Sequence, residues 1–147
     1  MVTEEPVIRV ARREDIPALV TLERKILGQE RPEFWEMKLE YAEERSPMAP
    51  LVAEVEGKVV GFVMGDASGW EFGIPNTIGW IDILGVDPDY QGRGIGRALM
   101  LEMIDHLKKV GVETIYALAN WRDWDMLRFL DRLGFRRGDM IHLELKV

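Results

Sequence analysis

Between Val86 and Leu99 the chain reads V-D-P-D-Y-Q-G-R-G-I-G-R-A-L, with glycines at 92, 94 and 96 and arginines at 93 and 97. Alternating glycines remove the Cβ atoms that would hold a ligand away from the main chain. A helix beginning among them adds unsatisfied N–H donors and a partial positive charge. Arg93 and Arg97 place full charges beside those donors. This chemistry suits a pyrophosphate or a similar polyanion. In a second reading the glycines only let a helix and a strand pack closely. Two well-known phosphate motifs fail here. The dinucleotide fingerprint needs glycine where Arg97 stands, and it belongs on a first strand, not in mid-chain. A Walker loop needs Gly-Lys-Ser/Thr, which is absent. Both failures weigh against a nucleotide-binding protein.

Upstream, the apolar run IGWIDILGV (Ile78 to Val86) holds a single acid, Asp82. Burial raises the pKa of a carboxyl group. A raised value suits a base that takes a proton from an amine, directly or through water. The bland alternative is a structural acid that binds a loop amide or faces water. Other chemistries find little material. The chain has no cysteine, so thiol nucleophiles, disulfides and thiolate metal sites are excluded. Its two histidines, His106 and His142, cannot build a multi-histidine metal site. His106 reads as solvated on a helix, and His142 as part of a last strand. Trp121 and Trp124 read as packing residues.

The elements that must position these residues follow from hydrophobic period and punctuation. Val7 to Ala11 reads as a strand. Asp15 and Pro17 open a helix that Gly28 ends, and Glu33 to Arg45 is a second helix. Leu51 to Glu56 and Lys58 to Asp66 form a hairpin about Gly57. A loop from Asp66 to Thr77 carries Trp70 and Phe72, either as lining of a pocket or interface or as a local lid. The strand Ile78 to Val86 leads through a turn into a helix over Gly92 to Lys109. Thr114 to Ala119 is a strand. Asp123 caps a helix bearing Trp124, Leu127, Leu130 and Leu133, which Gly134 ends. Phe135 to Val147 supplies one or two final strands. Hairpins mixed with crossover helices predict an α/β fold: a mixed sheet with helices on both faces.

Gln91-Gly92-Arg93-Gly94-Ile95-Gly96 resembles the Q/R-x-x-G-x-G/A signature of the GNAT superfamily of acyl-CoA-dependent N-acetyltransferases. VIRVARREDIPAL (Val7 to Leu19) is similar to that family's first strand and helix, and FLDRLGF (Phe129 to Phe135) to its late helix. The resemblance implies a sheet whose central strands splay, and acetyl-CoA as donor, without a metal. It implies that the backbone of Gln91, Gly92, Arg93, Gly94, Ile95, Gly96 and Arg97 holds the CoA pyrophosphate. The pantetheine arm would pair with Leu84, Gly85 and Val86, with Asn120 as a further contact. Asp82 takes the position of the family's frequent acid. The position of its frequent tyrosine, a proton donor to the departing thiolate, is here Leu130. Tyr116 and Tyr90 are alternatives outside the motif.

At 147 residues, one domain over 1–147 is expected. A net charge of −7 argues against a general nucleic-acid binder. No run is long and apolar enough for a membrane span, and the N-terminal acids argue against a signal peptide, so a cytoplasmic protein is expected. Glu33 to Glu44 holds five acids and one base, either a rim that favours a cationic acceptor or a solvated helix face. The expected function is acetyl transfer to a small-molecule amine or to a peptide N-terminus or lysine. A catalytically weak acyl-CoA sensor or interaction module is the alternative. A homodimer is compatible with either.

Overall fold

The computed structural model describes residues 5–45, 50–67 and 77–147. Five strands form one sheet in chain order: β1 (Val7–Val10), β2 (Leu51–Val55), β3 (Lys58–Ala67), β4 (Ile78–Val86) and β5 (Thr114–Ala117). Neighbours are antiparallel except β4 and β5, which are parallel across a crossover helix. The helices are α1 (Ile16–Leu27), α2 (Pro32–Arg45), α3 (Ile95–Lys109) and α4 (Trp124–Arg132). One-turn 3-10 helices cover Arg13–Asp15 and Pro88–Tyr90. The mixed sheet expected from the sequence is present, and it is not closed.

Two apolar layers hold it together, one on each face. Leu99, Met100, Met103 and Leu107 of α3 and Leu130 of α4 pack on Leu51, Ala53, Val60 and Val63. On the other face Leu19, Leu22, Trp35 and Leu39 of α1 and α2 pack on Val52, Phe62 and Met64. Strand residues of one parity should share a face, yet Val60 and Val63 do. The reason is a bulge: Glu54 pairs with Val59 and Ala53 with Gly61, so Val60 has no partner on β2.

Charged groups lock the remaining joints. Arg9 on β1 reaches both carboxyl oxygens of Asp15 at 2.7 and 2.8 Å and Glu54 of β2 at 2.8 Å. That guanidinium lowers the pKa of the buried Asp15 carboxyl. Arg31 in the α1–α2 connection binds the fully buried Glu23 at 2.6 Å and stacks 4.0 Å over the Phe34 ring. Gly28, with φ of 74°, ends α1 as expected.

Two sequence expectations need correction. Helix α3 starts at Ile95, not Gly92, because Gly92 and Gly94 both have φ of 79° and stand outside the helix. Residues 136–147 form no strand; they run exposed beyond α4. Strand pairing needs a partner edge at one strand spacing, and among the described residues no strand pairs with this segment. Consequently His142 lies in no strand, and its Nε2 is 3.0 Å from Glu144 Oε1.

Gly85 tests how tightly β4 is held. A Cβ there would lie 2.7 Å from the Phe62 ring and 3.0 Å from Ile26. Gly85→Ala should therefore destabilise by about 1–3 kcal/mol through overpacking. A lower urea midpoint at unchanged slope is the expected readout, and an unchanged midpoint would contradict this packing.

Candidate functional site at the end of the fourth strand

The site begins with an extra residue on β4. Met64 pairs with Ile83 and Gly65 with Ile81, so Asp82 has no partner on β3. Such a bulge bends its strand and re-aims a side chain. Both effects are visible. β5 follows β4 only from Ile78 to Ile81, and Ala117 is its last paired residue. From Ile83 to Val86, β4 pairs with β3 alone. Past Ile81 the two parallel strands no longer pair, which leaves the β5-facing side of the backbone at Leu84, Gly85 and Val86 open. Alternate backbone groups of a strand point to opposite sides, so part of this stretch offers its N–H and C=O groups to the opening.

At the end of β4 the chain turns into the glycine loop. The Asp87 carboxylate, nearly fully buried, accepts from Asp89 N at 2.9 Å and binds Lys25 of α1 at 2.8 Å. Asp87 N donates to the bulged Val60 carbonyl at 2.8 Å. Gln91 Nε2 donates back to Val86 O at 3.4 Å. The first helical hydrogen bond of α3 runs from Ala98 N to Gly94 O, at 3.0 Å. The N–H groups of Gly94, Ile95, Gly96 and Arg97 thus precede any intrahelical partner. Buried Ile95 anchors this end to the core.

The three glycines divide by role. Gly92 and Gly94 are left-handed, and a Cβ on either would meet open space. At Gly96 a Cβ would sit 3.5 Å from Phe129 and 3.6 Å from Val86, which is ordinary contact. Close packing therefore does not explain the first two. Cations surround the loop. Arg93 and Arg97 are exposed, and Tyr90 has Arg93 4.9 Å and Lys58 5.4 Å from its ring centroid. Left-handed glycines, helix donors without intrahelical partners and three cations are an arrangement that could hold a polyanion.

Other expected residues are placed as follows. Asn120 is exposed just past β5, and its side-chain oxygen accepts from Arg122 N at 2.9 Å. Asp123 caps α4 by accepting from Met126 N at 3.1 Å. Leu130 is buried in the core, so no proton donor stands at that position. Tyr116 packs edge-on against Trp80 at 5.0 Å between ring centroids. Trp121 and Trp124 are 69% and 68% exposed, so they are not packing residues. Trp121 sits on the turn before α4 and Trp124 opens the helix, whose apolar stripe is used by Leu130 and its neighbours. His106 is half-buried, 3.3 Å from Glu102. Trp70 and Phe72 lie outside the described residues. On α2, Glu33, Glu36 and Glu40 are all exposed.

Sequence reasoning missed the surroundings of Asp82. Lys38, Tyr41 and Ala42 of α2 join Met64, Gly65 and Asp66 of β3 around a recess of about 20 Å³, room for about one water. Asp82 lines it from β4. The residue is exposed at its rim, but its carboxyl group is partly withdrawn from water. This desolvation raises its pKa, Lys38 opposes the rise and Asp66 adds to it. The folded pKa thus stands above the unfolded one, and folding gains stability as pH falls through the folded value. Below the ordinary value of 3.8 nothing further is gained. Asp82→Asn should therefore be more stable than the parent at pH 7, with an advantage that shrinks as pH approaches 4. Thermal melts across that range check it; a constant difference would remove the titration from the account.

Comparison with known proteins follows the same lines. The model of the acetyltransferase (GNAT) family matches residues 16–135. An acetyltransferase of Pectobacterium atrosepticum is 34% identical over 140 residues, covering 92% of each chain. An uncharacterized N-acetyltransferase of Methanocaldococcus jannaschii is 36% identical over 92 residues, and the match spans 62% of this chain but only 40% of that longer protein. Among solved structures, the PaiA N-acetyltransferase of Thermoplasma acidophilum in complex with coenzyme A superposes with a TM-score of 0.76 at 18% identity, covering 94% of both chains. With the matched region running from the start of α1 to the end of α4, the chain belongs to the acetyltransferase (GNAT) family.

Proposed function

We propose that this protein transfers the acetyl group of acetyl-CoA to a primary amine, by direct attack in a ternary complex. One observation carries the reading: a single strand, β4, bears a bulged acid and a backbone stretch with no partner on its β5 side, and leads directly into a glycine loop. The CoA-bound structure with the same fold supports the choice of polyanion.

In this reading the N–H groups of Gly92, Arg93, Gly94, Ile95, Gly96 and Arg97 hold the pyrophosphate. Gln91 keeps the loop on β4, and the arginine charges add to the attraction. The pantetheine arm lies in the opening, along Leu84, Gly85 and Val86, with Asn120 on the far side. A backbone N–H of that stretch donates to the thioester oxygen and stabilises the charge that develops on it. The amine nitrogen attacks the carbonyl carbon, the C–S bond breaks, and the thiolate leaves. Asp82 accepts the proton lost by the amine, directly or through a water in its recess. Leu130 offers no proton, so the thiolate departs unprotonated or takes a proton from solvent.

The recess lined by Lys38, Asp66 and Asp82 supports an acceptor on the α2 side of the sheet. The exposed glutamates of α2 favour a cationic acceptor, either a small molecule or a peptide. The leucine at position 130 also supports a second reading, a CoA-binding sensor of low turnover. Release of free thiol from acetyl-CoA across an amine library separates the two. Tight CoA binding with no turnover on any amine would favour the sensor.

Gly94→Glu and Gly96→Glu place a carboxylate among the phosphate donors. Each should reduce CoA affinity by at least about 100-fold, equivalent to about 2.7 kcal/mol, with an unchanged circular dichroism spectrum. Retained affinity in a folded variant would remove the main support for the donor site. Asp82→Asn should lower turnover by about 10²- to 10⁴-fold, the range of general-base catalysis. Its CoA affinity should stay within about twofold. Unchanged turnover would refute the base assignment.

A further inference from the structure

Asp87, where β4 gives way to the glycine loop, is a buried carboxylate with no part in the transfer step itself. Its side chain is 3% exposed. A buried charge needs a partner, and the partner here comes from another layer of the fold. Lys25, in the last turn of α1, brings its Nζ to 2.8 Å from Asp87 Oδ1. The same ammonium is 2.7 Å from Asp89 Oδ2. Lys58, at the start of β3, is a more distant cation, 4.0 Å from Asp87 Oδ2.

These groups sit astride the turn that carries the loop. Tyr90 N donates to Asp87 O at 2.8 Å, and Asp89 N to the Asp87 carboxylate at 2.9 Å. Lys25 therefore grips both acids of the turn directly ahead of Gln91 and Gly92. α1 packs on the sheet face opposite α3, so Lys25 reaches round the end of β4 to the loop that opens α3. Its neighbour Ile26 lies 3.0 Å from the place a Gly85 Cβ would take, which holds this end of α1 against β4.

Charge gives the contact a meaning for a ligand. Asp87 and Asp89 are two negative charges beside donors suited to a polyanion. One ammonium between them leaves the trio a single net negative charge. Burial works against the charged Asp87 carboxyl, but Lys25, the Asp89 N–H and Lys58 outweigh it and lower its pKa. Asp87 first, then Asp89, raises the pKa of Lys25. Asp87 and Lys25 thus both stay ionised at neutral pH.

We propose that Lys25 is a positioning residue for the donor site: from the α1–α2 layer it fixes the turn that carries the glycine loop and cancels acid charge that would oppose the CoA phosphates. It acts through Asp87 and Asp89, whereas Arg93 and Arg97 act on the ligand. The proposal rests on the assignment of CoA to that loop.

Equilibrium binding of CoA to the full chain tests it, with Gly94→Glu measured alongside. Lys25→Met should weaken binding about 10-fold at low ionic strength, the scale of one unit charge near a protein surface. The difference should narrow to about 2-fold at 1 M NaCl, where screening acts within about 3 Å. Lys25→Arg should retain the parent affinity within about 2-fold. Lys25→Met combined with Asp87→Asn returns the trio to one net negative charge and should recover that affinity. This double variant buries no unpaired charge, so it keeps the test valid if Lys25→Met alone loses stability. Unchanged affinity in Lys25→Met overturns the proposal. So does a loss that the double variant does not recover or that persists at 1 M NaCl, since a packing role would behave that way. Weak binding by Gly94→Glu beside full binding by Lys25→Met removes only the role of Lys25. Equal binding by the parent and Gly94→Glu removes the donor-site reading, and this proposal with it.

Discussion

β4 carries one residue more than β3 can match, and much of the molecule is arranged around that surplus. A strand with an unmatched residue must bend, and a parallel neighbour that starts alongside it must part company. Here β5 stays with β4 for four residues and then leaves at Asp82. The same bend turns the Asp82 carboxyl toward α2 and away from the α3–α4 core. Past it, Leu84 returns to the α3–α4 side while Ile83 packs against α1 and α2. The opening and the acid are thus two results of one backbone irregularity. The second bulge, at Val60, serves the same end of the sheet, because its carbonyl receives Asp87 N where β4 gives way to the glycine loop.

Sequence patterning predicted the elements well where period and punctuation agreed. The strand Ile78 to Val86 and the Asp123 cap were legible because apolar content, glycine and a capping acid all pointed the same way. The glycine loop was legible in type but not in extent. Helix onset depends on backbone dihedrals, and alternating glycines leave these open until packing selects left-handed values at 92 and 94. The bulges were not legible, since no local residue preference marks an extra residue whose cause is the length of its neighbour. Lys38, Tyr41 and Asp66 came to Asp82 through tertiary packing, at separations of 16 residues or more, which no local pattern encodes.

Exposure was the other weak point. Trp121 and Trp124 have the composition of core residues but stand on the turn before α4 and on its first residue, and both are exposed. The tail beyond Phe135 has a strand's alternation without a strand's partner. Both errors come from reading burial off residue type, when it depends on whether a surface remains to be covered.

The sheet order has a consequence for how the chain assembles. Strand order equals chain order, and the turn at Glu56 and Gly57 closes β2 on β3 at small loop-entropy cost. Joining β1 to β2 requires α1 and α2 to be spanned, and joining β4 to β5 requires α3. The central meander β2–β3–β4 is therefore the inexpensive nucleus in chain entropy, and the two helical layers close onto it from opposite edges. Contact order then ranks the β4–β5 pairing among the slower steps. The rate at which the cleft becomes usable is tied to that long-range closure, and a substitution that weakens α3 would delay the cleft more than the meander.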